Sequence, residues 1–232
     1  MLKQRVIIAA IGIPVIVSVI WFGDPWFSLF IAAVVLIGTF EFYHLTLNLK
    51  QPLIYLGLLW ALVLALSPHY IHTLPIIMTV AVVVSLIWLL CRPAREKAFY
   101  NWAWIVVGAL YVGWMLSYWL GLRLLEYGRS WVYLGIFITF ANDTGAFFVG
   151  RAWGKHKLAP AISPGKTWEG AIGGLLSANV GGIIVFLILG HFSFLPLVYW
   201  QVVPLACLVS LFAQLGDLVE SLLKRNMGVK ES

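Results

Sequence analysis

Charge is what this sequence has least of. Asp, Glu, Lys and Arg make up 10% of its 232 residues, against about 25% in a soluble domain, and the mean hydropathy is +0.97. That balance excludes an ordinary soluble protein. Alternating segments of about 10 residues, the mark of a transmembrane β-barrel, are missing too. Cysteine is nearly absent: Cys91 and Cys207 fall in or at the ends of apolar segments and read as small hydrophobes in helices, not as a disulfide or metal pair. The first apolar run, Val6–Phe22, is followed by "GDPW" and no small-residue cleavage motif, so it reads as a retained span. No internal repeat, low-complexity stretch or separate soluble domain is visible.

What remains is a chain of apolar runs, many longer than about 18 residues, which predicts an all-α, polytopic transmembrane protein. About eight spans are expected, at roughly Val6–Phe22, Phe27–Leu47, Leu53–Leu66, Leu74–Leu90, Trp102–Leu122, Trp131–Val149, Trp168–Leu189 and Leu197–Val219. The third is short enough to be tilted or partly re-entrant. Residues 1–130 then form an N-terminal group of about five spans, and 131–232 a C-terminal catalytic region with a cytoplasmic loop at 151–167. With a cytoplasmic N-terminus, only Arg123 and Arg129 among the 15 Lys and Arg residues lie outside, which sets the orientation by the positive-inside rule. The net charge of +6 is then explained by anionic lipid and insertion, with no nucleic-acid partner.

Six of the nine acids, Glu41, Asp143, Glu169, Asp217, Glu220 and Glu231, fall in or beside the cytoplasmic halves of these spans. A charged side chain inside a span costs at least about 2.5–3.5 kcal/mol, so it normally faces a cavity and has a partner. Asp143 sits in "FITFANDTGAFFVG". Asn142, Asp143 and Thr144 supply oxygen ligands or, alternatively, an inter-helix hydrogen-bond cluster, and Gly145 allows a close neighbour. In "GDLVESLLKRNMGVKES", Asp217, Glu220, Ser221 and Lys224 follow i, i+3, i+4, i+7 and share one helical face. A Glu220–Lys224 pair accounts for two of the four, but Asp217 has no local base.

The loop "RAWGKHKLAPAISPGKTWEG" (151–170) is the longest cytoplasmic connection. Either Ser163 caps a helix with Pro164 at its first position, or Thr167 caps a helix starting at Trp168. Both place a helix N-terminus, able to hold phosphate, near Lys166. "PGKT" is not a P-loop, because Pro160 stands where the first glycine is required and no strand precedes it. His156, between two lysines, reads as a surface residue. Carboxylates able to hold a divalent metal through oxygen, joined by lysines able to neutralise polyphosphate, make a kit for phosphoryl or nucleotidyl transfer at the membrane's inner face.

The segments "ANDTGAFFVGRAWGKHKLAPAISPGKTWEGAIGG" and "QLGDLVESLLKRNMGVK" closely resemble the phosphatidate cytidylyltransferases, or CDP-diacylglycerol synthases. The family signature begins with Ser, any residue, an aliphatic, Lys-Arg, four residues and Lys-Asp; Ser221, Leu223, Lys224, Arg225 and Lys230 match it. The resemblance implies that CTP and phosphatidic acid give CDP-diacylglycerol and pyrophosphate with Mg²⁺. It implies Asp217 as a metal ligand with Asp143 as a second acidic member, and Lys166, Lys224 and Arg225 on phosphates. The segment Ser163, Lys166, Thr167, Trp168 and Glu169 would line the nucleotide and lipid-head pocket, with Ser221 as a hydrogen-bond donor. The attacking group would be the lipid phosphate, so no protein nucleophile is expected.

Two departures stand out. Glu231 occupies a position where the family has Asp. The signature's later Pro-Gly-His-Gly-Gly and Asp-Arg-x-Asp segments are missing from the 232 residues, so the chain as written reads as C-terminally truncated and is expected to show little or no activity. The expected partners are CTP, phosphatidic acid and the bilayer, with a homodimer allowed; the expected place is a bacterial inner membrane, with the site facing the cytoplasm. Alternatives are a transporter for an anionic substrate, which predicts inverted repeats, and a CTP-dependent lipid or polyprenol kinase.

Overall fold

The computed structural model describes residues 2–47, 52–90, 98–192 and 197–228. Lys230 and Glu231, the loop bases Lys50, Arg92, Arg95 and Lys97, and with them Cys91 and Glu96, lie outside these residues. The helices are α1 (Leu2–Phe22), α2 (Trp26–Thr46), α3 (Leu53–Ala65), α4 (Leu74–Leu90), α5 (Ala98–Gly108), α6 (Met115–Leu124), α7 (Gly128–Trp153), α8 (Trp168–Phe192) and α9 (Tyr199–Asn226). A π-helical stretch, Ala109–Trp114, joins α5 to α6, so these two form one interrupted span. Among the described residues, eight helical segments therefore stand where the apolar runs predicted them. Six are long and apolar enough to cross a membrane, which makes the chain an integral membrane protein. Helix α3, with 13 residues, is about 20 Å long at 1.5 Å per residue, short of the roughly 30 Å hydrocarbon core.

The chain divides into two compact units, 1–126 and 127–232. In the first, α2, α3, α5 and α6 pack around Tyr43, which is fully buried. Its hydroxyl donates to the Ile105 carbonyl at 2.7 Å, which answers the need of a phenol in an apolar core for an acceptor. The π-helical stretch lies where Gly113 meets the backbone of Ala61: a Cβ there would come within 2.4 Å of the Ala61 carbonyl oxygen. Such single-turn π-bulges occur inside longer α-helices, as here between α5 and α6.

The second unit is built on α7 and α8, which run antiparallel: position 150 meets 170, and position 138 meets 182. Small residues line this seam, as membrane helices require when van der Waals packing replaces the hydrophobic effect. Gly145 is its tightest point, since a Cβ would sit 2.0 Å from the Ser177 hydroxyl oxygen. Helix α9 closes on the pair through a core of Leu134, Ile138, Ala178 and Ala206.

Between α7 and α8 the chain is not an open loop. Strands β1 (Lys157–Ala159) and β2 (Ser163–Thr167) form an antiparallel hairpin, with Lys157 opposite Thr167, Ala159 opposite Ser163, and an irregularity between these pairs. Pro164, which cannot donate to a ladder, is tolerated at such an irregularity. This corrects the expectation that Ser163 begins a helix. The alternative holds: α8 starts at Trp168, and the Thr167 hydroxyl accepts the Gly170 N–H at 3.1 Å.

Candidate active site

The second unit contains a cavity of about 630 Å³ between α7, the hairpin, the start of α8 and α9. Asp143 reaches it from α7, Ser163, Lys166 and Thr167 from β2, and Gln214, Asp217 and Ser221 from α9. Three stretches separated by tens of residues thus converge on one space. On α9 the polar positions Ser210, Gln214, Asp217 and Ser221 follow i, i+4, i+7 and i+11, one stripe of the helix.

Lys166 and Asp217 meet directly. The ammonium nitrogen Nζ lies 2.7 Å from Asp217 Oδ2, with the Lys166 side chain 23% exposed and that of Asp217 60% exposed. The approach is an ion pair without hydrogen-bond direction, as Nζ has no acceptor in hydrogen-bonding geometry. The base that Asp217 lacks on its own helix is supplied by the hairpin. Glu220 and Lys224 form the local i,i+4 pair at 2.8 Å. Ser221 is buried.

A smaller cavity of about 160 Å³ adjoins the first and shares Ser163, Gly165 and Ser221 with it. Lys224 and Arg225 line this second space. Arg225 Nε also donates to the Ile162 carbonyl at 3.2 Å, so part of its guanidinium holds the hairpin tip against α9.

Of the expected site residues, Asp143, Ser163, Lys166, Thr167, Asp217, Ser221, Lys224 and Arg225 line one cavity or the other. Trp168 and Glu169 line neither. Trp168 is exposed. Glu169 accepts the backbone N–H groups of Lys155 at 3.2 Å and of His156 at 3.2 and 3.3 Å, and pairs with His156 Nδ1 at 2.6 Å. His156 is exposed, as a surface residue should be. The Trp168 N–H donates to the His156 carbonyl at 2.9 Å. With Gly170 N–H on Thr167, the first turn of α8 is thus closed in part by the chain itself, not by the open set of N–H donors expected for phosphate.

Two cavity residues, Gln214 and Arg151, are not marked in the sequence as site members, whereas Asn142 is, as part of the Asn-Asp-Thr cluster. Asn142 is 1% exposed and belongs to both readings offered above: it joins an inter-helix cluster, and Asp143 beside it lines the cavity. Gln214 was passed over for its charged neighbour Asp217, although the stripe on α9 includes it. Arg151 lines the cavity with its guanidinium 6.0 Å from the Phe147 ring centre, because α7 runs to Trp153, past the end of its apolar run.

Among the described residues no three His, Cys, Asp or Glu side chains gather as a metal cluster. Two carboxylates on one cavity, with hydroxyl and amide oxygens nearby, still suit Mg²⁺. That ion usually keeps several waters and takes one or two protein carboxylates plus substrate phosphates. The ammonium already seated on Asp217 Oδ2 marks that oxygen as a position where positive charge is held.

The sequence model of the cytidylyltransferase family matches residues 3–232. A phosphatidate cytidylyltransferase of Bacillus subtilis is 32% identical over 238 residues, covering all of this chain and 87% of that protein. One from Haemophilus influenzae is 33% identical over 272 residues, covering all of this chain and 89% of its own length. A Staphylococcus saprophyticus protein of the same name is 38% identical over 135 residues, 58% of this chain and 50% of that protein.

Proposed function

This chain belongs to the cytidylyltransferase family, and from that premise we propose that it transfers the cytidylyl group of CTP to phosphatidic acid in phospholipid biosynthesis. A phosphate oxygen of phosphatidic acid attacks the α-phosphorus of CTP. The bond from that phosphorus to the bridging oxygen breaks, pyrophosphate leaves, and CDP-diacylglycerol is formed. The observation that carries this reading is the convergence of Asp143, Lys166 and Asp217 on one cavity of about 630 Å³, a size within the usual range for a ligand site.

The residues have separate tasks in this reading. Asp217 and Asp143 would hold Mg²⁺, which would neutralise phosphate charge when bound. Lys166 is a compact positive charge that can exchange its carboxylate partner for a phosphate oxygen. Lys224 and Arg225 place positive charge in the adjoining cavity, where the departing or attacking phosphate fits. Ser221, at the junction of both cavities, donates a hydrogen bond between them. Catalysis of this kind is mainly positioning and charge neutralisation. The site opens to the cytoplasmic face of a bacterial inner membrane, so the lipid stays in the bilayer while CTP arrives from water.

The test uses CTP labelled at the α-phosphorus and phosphatidic acid in mixed micelles with Mg²⁺. Label in CDP-diacylglycerol with equimolar pyrophosphate is expected from the purified protein. CDP with a phosphorylated lipid would replace this reading by a kinase. No lipid-linked label would overturn it.

A further inference from the structure

Among the described residues no base forms a salt bridge with the Asp143 carboxylate. That carboxylate is held by an amide that is itself held at both ends. Asn142 Nδ2 donates to Asp143 Oδ1 at 3.0 Å. On its other side Asn142 Oδ1 accepts from Ser210 Oγ at 2.6 Å and from Gln214 Nε2 at 3.1 Å, both on α9. Gln214 Nε2 also donates to the Ala171 carbonyl on α8 at 3.1 Å and lies 3.2 Å from Ser210 Oγ.

The direction of every bond follows from the two ends. The Ala171 carbonyl can only accept, so the Gln214 nitrogen faces it. That nitrogen also faces Asn142, so the Asn142 oxygen must face Gln214. The Asn142 nitrogen is then left for Asp143, whose ionised carboxylate can only accept. Reversing either amide would set oxygen against oxygen. The chain therefore has one consistent orientation, and it ties α7, α8 and α9 together at the cavity wall with Asn142 buried in its middle.

We propose that Asn142 is a positioning residue for the acidic site: it aims the Asp143 carboxylate into the cavity and keeps it in register with α9, which carries Asp217. Neither Asn142 nor Gln214 needs to touch the metal. This inference rests on the reading of Asp143 and Asp217 as Mg²⁺ ligands. Outer partners of this kind typically change metal affinity by about 10- to 100-fold when removed.

The experiment measures Mn²⁺ binding, as a spectroscopic stand-in for Mg²⁺, to the purified 232-residue chain by electron paramagnetic resonance, without turnover. Asn142→Ala should weaken binding about 10- to 100-fold. In an Asp143→Asn background the same change should have little further effect, because one residue acts through the other. Gln214→Met, which keeps the bulk but removes the donor to Asn142, should weaken binding by a smaller factor; it serves if Asn142→Ala does not fold. Asn179→Ala is the control. It removes an α8–α9 contact, Asn179 Nδ2 to Cys207 Sγ at 3.3 Å, away from the cavity wall, and should lower the melting temperature without moving Mn²⁺ affinity. If Asp143→Asn weakens binding but Asn142→Ala and Gln214→Met leave it unchanged, the positioning role is wrong and the metal reading stands. If Asp143→Asn itself has no effect on Mn²⁺, both are overturned.

Discussion

Replacing Lys166 by Met separates what that residue does for the fold from what it does for the site. Its partner Asp217 is 60% exposed, so the pair is screened by water and contributes about 0–1 kcal/mol to stability. Met keeps most of the length of the side chain without its charge, and the folded protein should persist. The effect on a bound cation is larger and of the opposite sign. Two unit charges about 4 Å apart in water interact by about 1 kcal/mol. A divalent ion at Asp217 would therefore feel about 2 kcal/mol of repulsion from the ammonium, equivalent to about 30-fold in affinity. An ammonium that swings away relieves part of this, so Lys166→Met should tighten Mn²⁺ binding by between about 3-fold and 30-fold.

Turnover should move the other way. A preorganised charge or donor aimed at developing charge is worth about 100- to 1,000-fold in kcat when removed. The assays are Mn²⁺ titration by electron paramagnetic resonance and CDP-diacylglycerol formation. Tighter metal with slower turnover is the expected pair of results. Metal affinity and turnover falling together would show that Lys166 acts by holding the hairpin in place, and would refute the electrostatic argument. No change in either would remove Lys166 from the site.

Further substitutions probe the parts around it. Asp217→Asn should abolish turnover and weaken Mn²⁺ binding while the helical circular dichroism stays intact; retained turnover would take Asp217 out of the metal site. Thr167→Val removes the hydroxyl that accepts the Gly170 N–H at 3.1 Å and should cost about 1 kcal/mol, read as a lower melting temperature in detergent that Thr167→Ser restores. Gly145→Ala sets a Cβ 2.4 Å from Ser177 Cβ and 2.9 Å from the Gly173 carbonyl oxygen, so α7 and α8 must part. A loss of about 1–3 kcal/mol or more is expected, only partly recovered by adding Ser177→Gly because the carbonyl remains.

The helices were legible because a span must satisfy its backbone internally and keep its surface apolar, which writes a long hydrophobic run into the sequence. Their ends were less so. Helix α7 continues to Trp153 and α9 to Asn226, past the apolar runs that mark them, since a helix leaving the bilayer changes its side chains before its hydrogen bonds. The π-helical stretch at Ala109–Trp114 lies against the backbone of Ala61, far away in the sequence, and leaves no local mark. The hairpin was hidden for a different reason. Its strands have three and five residues and contain Pro and Gly, which disfavour strands. Contacts at its base and tip, not strand propensity, shape it.

The stretch Lys166–Thr167–Trp168–Glu169 shows why the site was only partly readable. Four polar or aromatic residues in a row invite the reading that all four serve one pocket. Geometry forbids it. Successive residues of a strand point to opposite faces, and the first turn of a helix rotates each side chain by about 100° from the last. Lys166 therefore faces the cavity, Thr167 touches its wall while its hydroxyl caps α8, Trp168 points outward, and Glu169 swings back to bind the chain at Lys155 and His156. Glu169 and Thr167 fasten both ends of the hairpin base, which fixes where Lys166 can reach. A consecutive motif at a strand-to-helix junction thus divides into members that face the site and members that hold them there. The division follows from the two periodicities once the junction is known to lie at Trp168.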